Sequence, residues 1–237
     1  MKTKIGTLAV LTTALACASA IAAPGAHVRS AATAITVNVR IEGAHRTIFD
    51  GNVKTSPHSI TKDSSGSHPC DGTNNGANAT PGPTVHGALD DASNVGHFTW
   101  AATWSSSFND FFVTRIGPDT GNATNFWAEA VNFKDTPVGG CQFELKPGDQ
   151  VLLYFVKGSS KYTLKLRSPH SAHVNHAFKV HVTDGKTGKP VKGAKVDGHK
   201  TNARGVVTLR LRHAGNTRLR ATLPGSVRSN IVVVHVH

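Results

Sequence analysis

Apolar and polar residues alternate with a period of two from Ile35 onward. Ile35, Val37, Val39 and Ile41 share one face, Thr36, Asn38, Arg40 and Glu42 share the other, and Gly43 ends the run. That alternation predicts a strand with one face in the core. A second strand is predicted from Thr47 to Phe49, continuing through Asp50-Gly51 to Val53 and Thr55. Residues 64–83 lack any periodicity and are dense in Ser, Gly, Asn, Pro and His, which predicts a long loop of the functional or disordered kind. Thr84 to Ala92 has the spacing of a short helix with Thr84 as N-cap. Further strands are predicted at 98–104, 111–116, 126–131, 141–145 and 150–155, with turns at Asn109-Asp110 and Pro147-Gly148-Asp149.

In the last third Phe178, Val180 and Val182 alternate with Lys179, His181 and Thr183 before an Asp184-Gly185 turn. Val207, Leu209 and Leu211 alternate with Thr208, Arg210 and Arg212. Ala214-Gly215-Asn216 then leads to a strand with Leu219 and Ala221 inward and Arg218 and Arg220 outward. Joined as a hairpin, these two strands would set Arg212 beside Arg218 and Arg210 beside Arg220. A last strand runs from Ile231 to Val236. With Gly 23, Pro 11 and a single Met in 237 residues, the chain reads as turn-rich and mostly β. The expected architecture is a small β-rich α+β domain with one short helix over 35–164, a linker over 165–177, and an Ig-like β-sandwich over 178–237.

The N-terminus changes the setting. Lys2 and Lys4, an apolar stretch from Ile5 to Ala16 and the small residues after it read as a signal peptide, residues 1–22. Cleavage is expected after Ala22, with Ala18-Ser19-Ala20 as the other site. Cys17 raises acylation, but Leu15 stands one position too late for a good lipobox. The protein is therefore expected outside the cytoplasm or at the cell surface, with no membrane-spanning segment. In an oxidising compartment Cys70 and Cys141 are expected to form one disulfide. The rival reading is a thiol nucleophile at Cys70, paired with His68.

Charge divides the chain. From Lys165 onward there are 14 basic residues against 2 acidic, whereas residues 23–164 carry 10 against 12. Arg210, Arg212, Arg218 and Arg220 are thus candidates for a platform that binds anionic envelope polymers or lipid headgroups. Nucleic acid is the weaker partner, because Phe178 alone offers that half a stacking surface. His181, His235 and His237 are candidate metal ligands on neighbouring strands, against the plainer reading of solvated strand ends. No cofactor is expected. The G-x-S-x-G, H-E-x-x-H, P-loop and G-x-G-x-x-G patterns are all missing from the sequence, so a non-catalytic binding protein is expected.

Six motifs occur in order in the first half. They are Val39-Arg40-Ile41-Glu42-Gly43, Thr47-Ile48-Phe49-Asp50-Gly51, Thr84 with Ala88-Leu89-Asp90, Phe111-Phe112-Val113-Thr114-Arg115-Ile116, Phe126-Trp127 with Val131-Asn132, and Leu145-Lys146-Pro147-Gly148-Asp149-Gln150-Val151-Leu152. Together they resemble the C-terminal β-rich domain of transcobalamin and intrinsic factor. In those carriers the domain closes over cobalamin held against an α-helical barrel, which has no counterpart in this chain. The resemblance implies a flat-ligand site near Trp127. Trp100, Trp104, Phe126 and Trp127 are its candidate residues, while an aromatic-rich core is the plainer reading of the same side chains. The stretch from Gly188 to Val196 with the turn after Thr201 resembles carboxypeptidase-regulatory-like and bacterial Ig-like domains, which implies a small non-catalytic sandwich.

Overall fold

Among the residues that the computed structural model describes, 33–237, the first half contains β1 (Ile35–Glu42), β2 (Thr47–Thr55), β3 (His58–Thr61), β4 (Ser67–Cys70), α1 (Val85–Gly96), β5 (Trp100–Ser105), β6 (Asp110–Ile116), β7 (Asp119–Thr120), β8 (Asn125–Val131), β9 (Lys134–Asp135) and β10 (Gln150–Lys157). The expected signal peptide and Cys17 lie outside the described residues. A mixed sheet has the order β2-β1-β10-β8-β9, with β1 and β10 parallel and the other neighbours antiparallel. The apolar run of β10 occupies its centre because both faces are covered. Val151 and Leu153 join Val37, Val39, Ile41 and α1 in one core, and Leu152, Tyr154 and Val156 pack on the other side. Trp100, Phe111, Val113 and Ile116 of the β5-β6-β7 sheet complete the first core.

Helix α1 begins as expected: the Thr84 hydroxyl accepts from the Gly87 N–H at 3.1 Å. It buries Val85, Ala88, Leu89 and Ala92, then runs a full turn past the expected end. It stops at His97, whose left-handed backbone (φ 52°) lets its N–H reach the Ser93 carbonyl. Two other expectations are corrected. The long loop holds a strand, β4, paired antiparallel with β3. Residues 141–145 form a turn with one bridge, Glu144 to Thr84. The Cys141 N–H bonds to the Asp110 carboxylate instead of to a neighbouring strand, which takes that segment out of any ladder.

The second half contains β11 (Leu164–Arg167), β12 (Ser171–Ala172), β13 (Ala177–Asp184), β14 (Lys195–Val196), β15 (His199–Lys200), β16 (Val206–Arg210), β17 (Gly215–Leu219), β18 (Ala221–Thr222) and β19 (Val232–Val236). Three small sheets, β11-β13-β16, β12-β19-β17 and β15-β14-β18, share one apolar core. The segment expected as linker includes β11, because Leu164 and Leu166 alternate into that core while β13 pairs with them. The arginine hairpin is also corrected. Val207, Leu209, Leu211, Leu219 and Ala221 point inward as expected. However, β16 pairs with β13 and β17 with β19, so the connection crosses between sheets and no arginine ladder forms.

The two halves meet over the second face of the mixed sheet. Val227 packs with Ala130, Leu152, Tyr154 and Val156. Around it Arg228 pairs with Glu42, Arg220 with Asp50, and Lys186 with Asp135, each at 2.7 Å. Arg40 and Glu42, on the polar face of β1, are thereby buried. Burial lowers the Arg40 guanidinium's pKa, with the Glu42 carboxylate opposing the change.

Candidate functional site

Between β6 and β8 opens a cleft of about 550 Å³. The alternation of β8 sends Trp127 and Glu129 to the same side, toward Phe111 and Val113 of β6 and Leu153 of β10. Phe108 is 71% exposed and Phe112 61%, with Val138 beside them, so three of the large apolar side chains left open to solvent gather at one opening. Apolar surface concentrated in this way marks a binding region, whereas scattered exposure does not.

The polar floor is built from three segments. His86, in the first turn of α1, is buried; its Nδ1 lies 3.1 Å from Asp110 Oδ1 and its Nε2 3.2 Å from Glu129 Oε2. Asp110 also accepts from the Phe111 and Cys141 backbone N–H groups. Glu129 takes a hydrogen bond from Thr136 Oγ1 at 3.1 Å, and its carboxylate keeps some exposure to the cleft. Burial works against a charged imidazole here, but the carboxylates of Glu129 and Asp110 outweigh it and push His86 up to about 10. Both ring nitrogens therefore carry protons near neutral pH. The ring stands beside the disulfide, with Cys141 Sγ 3.7 Å from Nδ1. Gly139 and Gly140 make that approach possible: a Cβ at Gly140 would collide with the His86 ring, and one at Gly139 with the Asp110 carboxylate.

Cys70 and Cys141 are bonded to each other, which removes the thiol nucleophile, and His68 instead stacks on Trp104 with ring centres 3.8 Å apart. Of the four aromatic candidates, Trp127 lines the cleft and donates its indole N–H to the Asp119 carbonyl. Trp100 is core; its indole N–H is taken by Asp90 at 2.9 Å. Trp104 is half-buried against His68, and Phe126 is exposed away from the cleft lining.

Arg210, Arg212 and Arg218 are exposed on separate strands and connections, while Arg220 turns away to bond Asp50. His181 lies on β13, in a different sheet from His235 on β19, and His237 follows the end of β19. Sequence reasoning missed His86, Asp110 and Glu129 as a group. They are separated by long stretches of chain, and Asp110 carried only a turn signal. Compared with known proteins, the chain matches no family model and none of the curated proteins. No helix among the described residues is long and apolar enough to cross a membrane.

Proposed function

We propose that this is an exported binding protein whose first half captures a flat, mainly apolar small molecule in the β6–β8 cleft. The observation that carries the reading is the meeting of exposed Phe108 and Phe112 with Trp127 around the Glu129 carboxylate. A cleft of about 550 Å³ is within the usual range for small-ligand sites. Aromatic walls favour a planar π-system, and the carboxylate favours a ligand that presents a cation or hydrogen-bond donor at its end. His86 supports binding over proton transfer, because a ring donating at both nitrogens has no lone pair to act as a base. It fixes Glu129 in place.

The test is a titration with thioflavin T, a flat cation, read by dye fluorescence, with cobalamin followed by tryptophan quenching in parallel. Saturable binding that weakens about tenfold or more in Trp127→Ala and Glu129→Gln is expected. Equal affinity in all three proteins would refute the site.

A second reading, recognition of an anionic envelope polymer, is supported by a shallow groove in the second half. Lys179, His181, Lys200 and Arg204 line it, over about 540 Å³. Retention on heparin that drops steeply with salt, and vanishes when Lys179, Lys200 and Arg204 become Ser, is the expected result. Retention unchanged by those substitutions would remove this reading.

A further inference from the structure

Four histidines gather at one end of the second half. Strand β12 runs parallel to β19, and the pairing is extended by backbone hydrogen bonds from His237 N–H to Ala172 O and from Val174 N–H to the His237 carbonyl. His173 is thus laid against His237. The chain then turns tightly, with the His176 N–H donating to the His173 carbonyl, and Asn175 takes the left-handed conformation (φ 61°) that such a turn needs. The result is a continuous row of rings. Their centres are 4.5 Å apart for His173 and His237, 5.7 Å for His173 and His176, and 5.9 Å for His235 and His237. All four side chains are exposed.

We infer that His173, His176 and His237 form a binding site for a divalent transition-metal ion of the zinc or copper class, with His235 at its margin. Two imidazoles on one tetrahedral ion, at the usual metal–nitrogen distance of ~2.0–2.1 Å, hold their ring centres about 5 Å apart. The two spacings that involve His173, 4.5 Å to His237 and 5.7 Å to His176, bracket that value. The rings lie edge to face and do not yet converge on one point, so closing on an ion requires rotation about χ1 and χ2, which exposed side chains are free to make. The row itself offers imidazole nitrogens as donors. That set suits zinc, copper or nickel and not calcium or magnesium, which require oxygen. Each ring binds through the lone pair of a neutral nitrogen, and any ring that carried a second proton releases it to solvent. His235 Nδ1 lies 3.1 Å from Asn216 Oδ1, which orients that ring beside the site.

Calorimetric titration of the purified protein with Zn²⁺ in a non-coordinating buffer tests the site. One saturable ion per chain is expected, with affinity lowered about tenfold or more in His173→Asn and in His237→Asn. His181→Asn, on the other sheet, should bind as the wild type does. Circular dichroism of each variant should match the wild type, since these side chains are on the surface. Absence of heat above buffer in the wild type would overturn the inference. Equal affinity in wild type, His173→Asn and His237→Asn would overturn it as well, by placing the ion elsewhere.

Discussion

Arg228 Nε donates to Glu42 Oε2 at 2.7 Å across 186 residues of sequence, and Glu42 is only 2% exposed. Arg40 and Arg220 approach the same carboxylate at 3.3 and 3.5 Å. One acidic side chain therefore neutralises guanidinium groups from both halves. Glu42→Ala leaves buried Arg40 without its paired carboxylate and should destabilise the fold by about 3–5 kcal/mol. Urea unfolding monitored by tryptophan fluorescence and by far-ultraviolet circular dichroism measures this loss. A loss under about 1 kcal/mol would mean the cluster is solvated.

The disulfide closes a 71-residue span and ties β4 to the turn that carries Gly139 and Gly140. In the chain-entropy account a loop of that size contributes about 4 kcal/mol. Replacing Cys70 and Cys141 with Ser should lower the unfolding free energy by roughly that amount and loosen the Cys141 side of the cleft first. Hydrogen exchange at Cys141 and Gln142 reads the local effect. Unchanged exchange there would show that the hydrogen bonds of the turn, to Asp110, Gly72 and Phe108, hold it without the disulfide.

His86 makes stability depend on pH in a defined window. An unfolded histidine titrates near 6.5, and the folded one at about 10. The folded state binds the proton more tightly, so this contribution is complete below pH 6.5 and is lost as pH rises through 10. Each tenfold difference in proton affinity is about 1.4 kcal/mol. Unfolding free energies of the wild type should therefore fall between pH 7 and pH 10 by more than those of His86→Gln. Parallel curves for the two proteins would remove the imidazolium from the account.

Gly140→Ala tests the tight packing around that ring. Its new Cβ overlaps the imidazole, so either the turn or His86 must move. A destabilisation of about 1–3 kcal/mol is expected, together with weaker thioflavin T binding. Thermal unfolding without a change in midpoint would contradict this.

Much of the scaffold was legible from local pattern. The β1 alternation, the Thr84 cap, the β10 run and the inward set of Val207, Leu209 and Leu211 all follow from residues close in sequence. The Cys70–Cys141 bond was legible once Cys17 was set aside with the expected signal peptide, which leaves two of the three cysteines. What failed was pairing between distant strands. Ala214-Gly215-Asn216 reads as a hairpin turn, yet the connection passes from one sheet to another, and only the shared core of the second half settles which. The same limit hid the site. Trp127 was one of four aromatic candidates and lines the cleft, but Trp100 and Trp104 have the same composition signal and serve the core and a stacking contact with His68. His86 stands beside the Val85, Ala88, Leu89 and Ala92 stripe with no partner in its own segment. Asp110 and Glu129 reach it only through the fold.

The proposed ligand site is the cleft between β6 and β8. Amide and indole chemical shifts recorded by nuclear magnetic resonance during a thioflavin T titration test it most directly. Saturable shifts of the Trp127 indole N–H and of the Phe111, Phe112 and Glu129 amides are expected, with the Trp100 indole and the β13–β16 amides unmoved. Shifts centred on Lys179, Lys200 and Arg204, or none that saturate, would contradict it.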